Sequence, residues 1–293
     1  MELRVLRYFL VVAREESITR AAEVLHMTQP TLSRQLSSLE DELGAELLIR
    51  GKRRVYLTEA GMFLRQRAEE IVAIADKTEK DFIDHQNILS GVISLGSVES
   101  STSQILAKLL TEFNSAFPQV SYNIFSGTGD DIKEKIDKGL LEIGVLLEPV
   151  NYDKYDFIRL PQKERWGILT KADSELAQNE WITQADLIGL PLINSNRSIV
   201  RNEITNWFGE DYSHLKVLAT FNLNSGVASL VENGFGHAIC IEGSSTMIDP
   251  SKLVFRPFYP ELTSGCVLVW KKNTIFSPTV SKFIDFIKMA QWT

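Results

Sequence analysis

Residues Ser17 to Gly44 read SITRAAEVLHMTQPTLSRQLSSLEDELG. Two apolar helical patterns lie back to back here, parted only by a short turn around His26 to Thr28, and that spacing belongs to a helix-turn-helix rather than to a bundle hairpin. Each helix carries a start signal. Ser17 is placed to N-cap the first, its hydroxyl accepting a free N–H of the opening turn, and Thr28 to cap the second, with Pro30 in the first turn where no N–H is needed. Gly44 ends the second helix. Ala21, Ala22, Leu25, Leu32, Leu36, Leu39 and Leu43 recur at helical spacing as the inward set, and the paired alanines let two helices cross closely.

Left facing outward are Gln29, Thr31, Ser33, Arg34 and Ser37. Their chemistry suits a major groove: Gln pairs with the N6/N7 edge of adenine, Arg forks onto O6/N7 of guanine, a Thr methyl or the Pro30 ring meets a thymine methyl, and Ser holds phosphate. A solvated polar face is the alternative. The residues beyond the second helix favour DNA. Arg50-Gly51-Lys52-Arg53-Arg54 packs four cations into five residues, and Val55-Tyr56-Leu57 alternates toward Thr58, as in a short two-stranded wing whose tip touches the DNA backbone.

From Leu3 to Gly61 the sequence resembles the N-terminal domain of the LysR-type transcriptional regulators. The resemblance rests on Ser17, Ala21-Ala22, Leu25, Gln29-Pro30, Leu32-Ser33, Leu39-Glu40, Leu43-Gly44, Leu47, Arg50 and Leu57-Thr58-Glu59-Ala60-Gly61. Leu48 stands where the family usually carries Phe, a conservative core change. Thr31 replaces the usual Ala or Ser and bears on base preference. The expected DNA-contacting set is therefore Ser17, Thr28, Gln29, Pro30, Thr31, Ser33, Arg34, Ser37, Arg50, Lys52 and Arg53.

With 293 residues the chain is long enough for two or three domains, each burying a core. Its net charge of −7 sits awkwardly with a DNA partner until its distribution is read. Residues 1 to 60 carry nine Lys/Arg against nine Asp/Glu, whereas residues 91 to 293 carry 18 against 23. Acidity is thus concentrated away from the proposed DNA face. Within that face Glu40, Asp41, Glu42 and Glu46 gather beyond the recognition residues, so binding should depend on a few cationic contacts.

The N-terminus shows no secretory leader pattern, because Arg7 and Arg14 interrupt an amphipathic helix, and no run approaches the ~20 apolar residues of a membrane span. Cys240 and Cys266 both lie in apolar, strand-like runs without basic neighbours. Two buried structural thiols are expected, with a redox pair as the alternative. A cytoplasmic location is the consequence.

A long helix is expected from Glu59 to Leu89. Leu64, Ala68, Ile71, Ala75, Thr78 and Phe82 recur at steps of four and three, the a/d seam of a coiled coil, although Thr78 and His85 weaken it. Glu69, Glu70, Lys77, Glu79 and Lys80 make the other faces too polar for full burial. A homodimer is expected, and two helix-turn-helix units then suit an inverted repeat in double-stranded promoter DNA. The resemblance implies a homotetramer and adds RNA polymerase as a candidate partner.

From Gly91 the pattern changes to alternating strands and helices, which implies a mostly parallel sheet with crossover helices. Strands are expected at 92–96, 120–125, 143–147, 166–170, 191–194, 217–221, 237–241 and 266–270, and helices at 104–117, 130–138, 199–208, 225–233 and 278–289. This layout resembles the family's effector-binding domain, which is similar to type 2 periplasmic binding proteins. The whole chain then reads as α/β: a mainly α winged helix-turn-helix (1–58), a linker and dimerisation helix (59–89) and a two-lobed effector domain (90–293). Lobe one is placed at 91–161 with 267–293, and lobe two at 162–266.

In open α/β sheets ligands bind at the carboxyl ends of strands, beside helix N-termini. Val98-Glu99-Ser100-Ser101-Thr102-Ser103 and Ser126-Gly127-Thr128-Gly129 gather hydroxyls at two such places, matching the family's usual effector-contacting positions. Ser100, Ser101, Thr102 and Thr128 are the first candidates for a small-molecule effector, with plain N-capping as the alternative. From lobe two Asn194, Asn196, Arg197 and Asn224 are placed to close over it. Arg197 either forks onto a ligand carboxylate or is a solvated surface cation. Glu99 argues against a strongly anionic ligand.

Enzymatic readings find no support. His26, His85, His214 and His237 are scattered, with neither H-E-x-x-H nor clustered cysteines, so no metal is expected. No G-x-S-x-G elbow occurs. Gly127/Gly129 and Gly234/Gly236 lack the third glycine of a dinucleotide loop, and no cofactor is expected. Two functions stand at this point: a ligand-responsive transcription factor, and a solute-binding module whose N-terminal segment serves oligomerisation.

Overall fold

A computed structural model describes residues 1–51, 54–83, 89–245 and 248–290. The chain divides into two compact units, Met1–His85 and Gln86–Thr293.

The first unit runs α1 (Leu3–Glu15), α2 (Ile18–Val24), α3 (Gln29–Leu43), β1 (Leu48–Arg50), β2 (Val55–Leu57) and α4 (Glu59–Ile83). Leu6 and Phe9 of α1, Ala21 and Ala22 of α2, and Leu32, Leu36 and Leu39 of α3 form its buried core, closed by Leu47 and Leu48. The expected helix-turn-helix is present. Ser17 caps α2 by accepting the Arg20 N–H at 3.3 Å, His26 turns the chain at φ 52°, and Gly44 ends α3 at φ 65°.

Three expectations need correction. Thr28 stands at the N-cap of α3 without a capping bond. Its hydroxyl instead pairs with that of Thr31 at 2.8 Å, a partner one helical turn along the same face. Leu43 is 41% exposed, because the last turn of α3 has run past the core. Leu64 and Ala68 are buried in this unit's own core rather than held ready for a second chain. Ile71 and Ile74 beyond them are exposed, and Thr78 donates to the Ile74 carbonyl at 2.8 Å. The Phe82 side chain, His85 and the rest of the expected helix from 84 to 88 lie outside the described residues.

The second unit contains β3 (Gly91–Ser97), α5 (Thr102–Ala116), β4 (Val120–Ser126), α6 (Gly129–Asp137), β5 (Ile143–Leu147), β6 (Tyr155–Lys171), β7 (Pro191–Ser195), α7 (Ser198–Phe208), β8 (Lys216–Phe221), α8 (Val227–Glu232), β9 (His237–Ile241), β10 (Leu253–Pro257), β11 (Thr263–Lys271) and α9 (Pro278–Met289). One sheet has the order β4-β3-β5-β11-β6-β9-β7-β8, with β10 beside β6. Pairings toward both ends are parallel, β3 with β4 and β5, and β7 with β8 and β9. At the centre they are antiparallel, which the expectation of a mostly parallel sheet did not contain. β6 takes the chain out of the first half of the sheet and β11 brings it back alongside, so those two must run in opposite senses.

Helices cover both faces of each half. Ile93, Ile143 and Phe113 pack with Phe283 on one face of the first half, while Ile132, Ile136, Val267 and Val269 fill the other. In the second half Ile168, Leu192, Ile204 and Ile239 oppose Leu169, Ile193, Val227 and Ala238 across the sheet. Residues 161/162 and 266/267 both fall inside strands that continue from one half into the other. Cys240 and Cys266 are free and buried, and burial pushes both thiols up to about 12, with Glu164 and Glu148 adding to the rise at Cys266. Among the described residues no helix is long and apolar enough to cross a membrane.

Candidate nucleic-acid interface and ligand cleft

The start of α3 presents the expected polar face. Thr28, Gln29, Pro30, Thr31 and Arg34 are exposed, whereas Ser33 and Ser37 are half-buried. Arg34 has no hydrogen bond or ion pair among the described residues, which leaves its whole fork available. Ser17 is half-buried and engaged as a cap. Lys52, Arg53 and the Arg50 side chain lie outside the described residues. Of the wing cations, Arg54 is paired with Glu16 at 3.0 Å, and the Glu16 carbonyl accepts the Val55 N–H at 2.9 Å, so this cation secures the ribbon to the end of α1.

Two further residues hold the wing in place. Glu40 accepts the N–H groups of Leu47 and Leu48 through one carboxylate oxygen, at 2.8 and 3.1 Å, fixing the ribbon's first strand to the recognition helix. Thr58 donates to the Glu46 carbonyl at 2.6 Å and accepts the Gly61 N–H at 2.9 Å. Both belong to the Leu39-Glu40 and Leu57–Gly61 motifs, and the structure gives them a positioning role.

In the second unit a cavity enclosing about 460 Å³, open solvent at its mouth included, is bordered by Glu99, Thr128, Ser195 and Arg197 over walls from Val98, Leu147, Trp166 and Phe221. The Arg197 side chain is 12% exposed and its Nε reaches Asp130 at 3.4 Å. Partial burial works to raise the Asp130 carboxyl, but Lys133 and Arg197 outweigh it and hold the group below its ordinary range. Thr128 caps α6 in a capping box with Asp131. A second cavity of about 1070 Å³, solvent at its mouth again included, lies along Ser100, Ser103, Leu106, Leu110 and Ile124. Val98 and Glu99 border both, and Glu99 accepts the Ser225 N–H at 3.1 Å.

The remaining candidates are dispersed. Thr102 is fully buried with its hydroxyl 2.5 Å from that of Ser100, and it borders neither cavity. Ser101 gives both its N–H and its hydroxyl to Glu164. Asn194 is 1% exposed, accepts the Ser195 N–H at 2.8 Å and has no partner for its Nδ2 among the described residues. Asn196 is exposed, with its N–H on the Phe221 carbonyl. The Asn224 side chain lies outside the described residues.

Sequence reasoning missed Glu164. It is 1% exposed and joins Ser101 to Gly243, whose N–H it accepts at 2.9 Å. No local pattern distinguishes it from a solvated strand residue. Asp130 was also missed as the partner of Arg197, although its place in the first turn after Thr128 pointed toward the same loop.

Two family models match this chain. One, described as a bacterial regulatory helix-turn-helix protein of the lysR family, covers residues 3–62; the other, the LysR substrate binding domain, covers 86–292. Among curated proteins the Hca operon transcriptional activator HcaR of Escherichia coli is 31% identical over 294 residues, spanning 98% of this chain and 97% of that protein. BsdA of Bacillus subtilis, an HTH-type transcriptional regulator, is 29% identical over 243 residues, 82% and 83% of the two chains. Full-length CbnR complexed with its target DNA shares the fold, with a TM-score of 0.77 at 19% identity over 98% of this chain and 99% of that one.

Proposed function

This chain belongs to the LysR family of bacterial transcriptional regulators and is a DNA-binding regulator with a substrate-binding domain; from that premise we propose that a small molecule in the cleft beside Thr128 and Arg197 modulates promoter binding by its winged helix-turn-helix. The boundaries proposed are 1–58 for the DNA-binding domain, 59–89 for the linker helix and 90–293 for the effector domain, acting in the cytoplasm. The observation that supports the DNA contacts is Arg34, exposed on α3 with no partner among the described residues, with Gln29 and Thr31 exposed in the turn before it. Two such units, paired through the outer face of α4, would read the halves of an inverted repeat.

For the ligand, Thr128 and Arg197 are the proposed contacts among the candidates read from the sequence, because both border the cleft. Coupling requires the ligand to prefer one arrangement of the domain over another. The DNA assignment is tested with duplexes selected by the wild-type protein from a random pool. Arg34→Ala with Arg53→Ala should lose most of its affinity and show a shallower salt slope. Unchanged binding would overturn Arg34 and Arg53 as DNA contacts.

A further inference from the structure

We infer that Thr31 is a specificity-determining residue, reading the C5-methyl of a thymine in each half-site with its own methyl group; this rests on the proposal that α3 lies in the major groove. Thymine is the one base that shows hydrocarbon there. A side chain that recognises it must offer hydrocarbon in an exposed, fixed position. Thr31 stands in the first turn of α3, is exposed, and shares with Arg34 and Ser38 a side of the helix turned away from the buried Leu32, Leu36 and Leu39.

What the hydroxyl does decides what this side chain offers. Thr28, at the N-cap, makes no capping bond to the backbone, and its hydroxyl lies 2.8 Å from that of Thr31. That bond ties the polar branch of Thr31 back toward the start of the helix, and the methyl is the branch left for a base. A side chain branched at Cβ has few χ1 states and the bond selects among them, so little freedom is lost on binding.

The neighbouring groups suit other bases. Gln29 and Arg34 are exposed without a side-chain hydrogen bond among the described residues, and an amide and a guanidinium match adenine and guanine. Ser33 and Ser37 are half-buried and already engaged. Pro30 is the other exposed hydrocarbon of this turn, but its ring stands about 100° around the helix axis from Thr31, so the two groups face different parts of the groove.

The test uses duplexes selected by the full chain from a random pool, with each half-site thymine replaced in turn by deoxyuridine, which removes the methyl and nothing else. At one thymine per half-site the replacement should weaken wild-type binding about fourfold, the contribution of one buried methyl. Thr31→Ser, which keeps the hydroxyl and loses the methyl, should bind the thymine and deoxyuridine duplexes equally at that position and respond as the wild type does at every other. Thr31→Val, which keeps a methyl and loses the hydroxyl, should retain the preference. A wild-type protein indifferent to every replacement, a preference that survives in Thr31→Ser, or one that Thr31→Val loses overturns the assignment. Arg34→Ala separates this failure from failure of the premise. Weaker binding by Arg34→Ala with no response to any deoxyuridine keeps α3 as the reading helix and removes only the thymine; no effect of Arg34→Ala, Thr31→Ser or any deoxyuridine removes α3 from the groove as well.

Discussion

Gly61 lies against the Leu47 carbonyl so closely that a Cβ on it would stand 2.1 Å from that oxygen. The Thr58 N–H is bonded to the same oxygen at 3.0 Å, and the Thr58 hydroxyl holds the Gly61 N–H. The first turn of α4 is thereby locked against the start of the wing. Gly61→Ala must push the segment leading into β1 away from α4, so it should destabilise the first unit by about 1–3 kcal/mol. Thermal melting followed by circular dichroism checks this, and an unchanged midpoint would refute the close approach.

Glu164 is surrounded by donors from two distant segments, Ser101 and Gly243. Truncation to Ala leaves buried N–H groups unmet and should cost roughly 3 kcal/mol or more in urea unfolding. Glu164→Gln should recover only part of that loss, because its amide NH2 turns a donor toward a donor. Full stability in Glu164→Gln would show that the carboxylate's two acceptor oxygens do not matter.

His237 has its pKa lowered by burial, and its Nδ1 is 2.7 Å from the Thr170 hydroxyl. A depressed folded value means the unfolded chain binds the proton more readily. Stability is therefore fully present above the unfolded pKa of about 6.5 and declines as pH falls through the folded value. His237→Gln should flatten that acid limb of the stability profile; an identical slope in the variant would assign the limb to other groups.

Ile71 and Ile74 are exposed on α4 at 39% and 41%, just beyond the point where Leu64 and Ala68 are taken into the unit's own core. If a second chain covers that face, Ile71→Glu with Ile74→Glu should reduce the mass found by sedimentation equilibrium. DNA affinity should fall with it, since two linked half-site contacts become one. A double variant that keeps the wild-type mass would place the dimer contact elsewhere.

The helix-turn-helix was legible because its signals are local: Ser17, His26 and Gly44 act within a turn of where they stand. The alternating units between Gly91 and Leu147 were legible for the same reason. Two strand segments were not. Residues 155–165 of β6 bury Tyr155, Leu160 and Glu164 at irregular spacing around Pro161, which reads as a break rather than a strand. β10 is short and ends in Pro257, and only its pairing with β6 defines it. The cleft was half legible. Its loops could be placed at strand ends, but which hydroxyl faces a cavity depends on partners far along the chain, as Ser101 and Glu164 illustrate.

The position of β11 between β5 and β6 governs how the protein can be made. The first unit has everything it needs once α4 has left the ribosome, and it can fold early. The sheet cannot. Until β11 emerges β5 carries a bare edge, and until α9 is made the first half lacks Phe283, Ile284 and Ile287 from its core. A chain stopped before residue 263 carries both defects, an unpaired strand edge and exposed apolar surface, which are the conditions for aggregation. β11 and α9 therefore decide whether the part of the sheet made before them stays in solution.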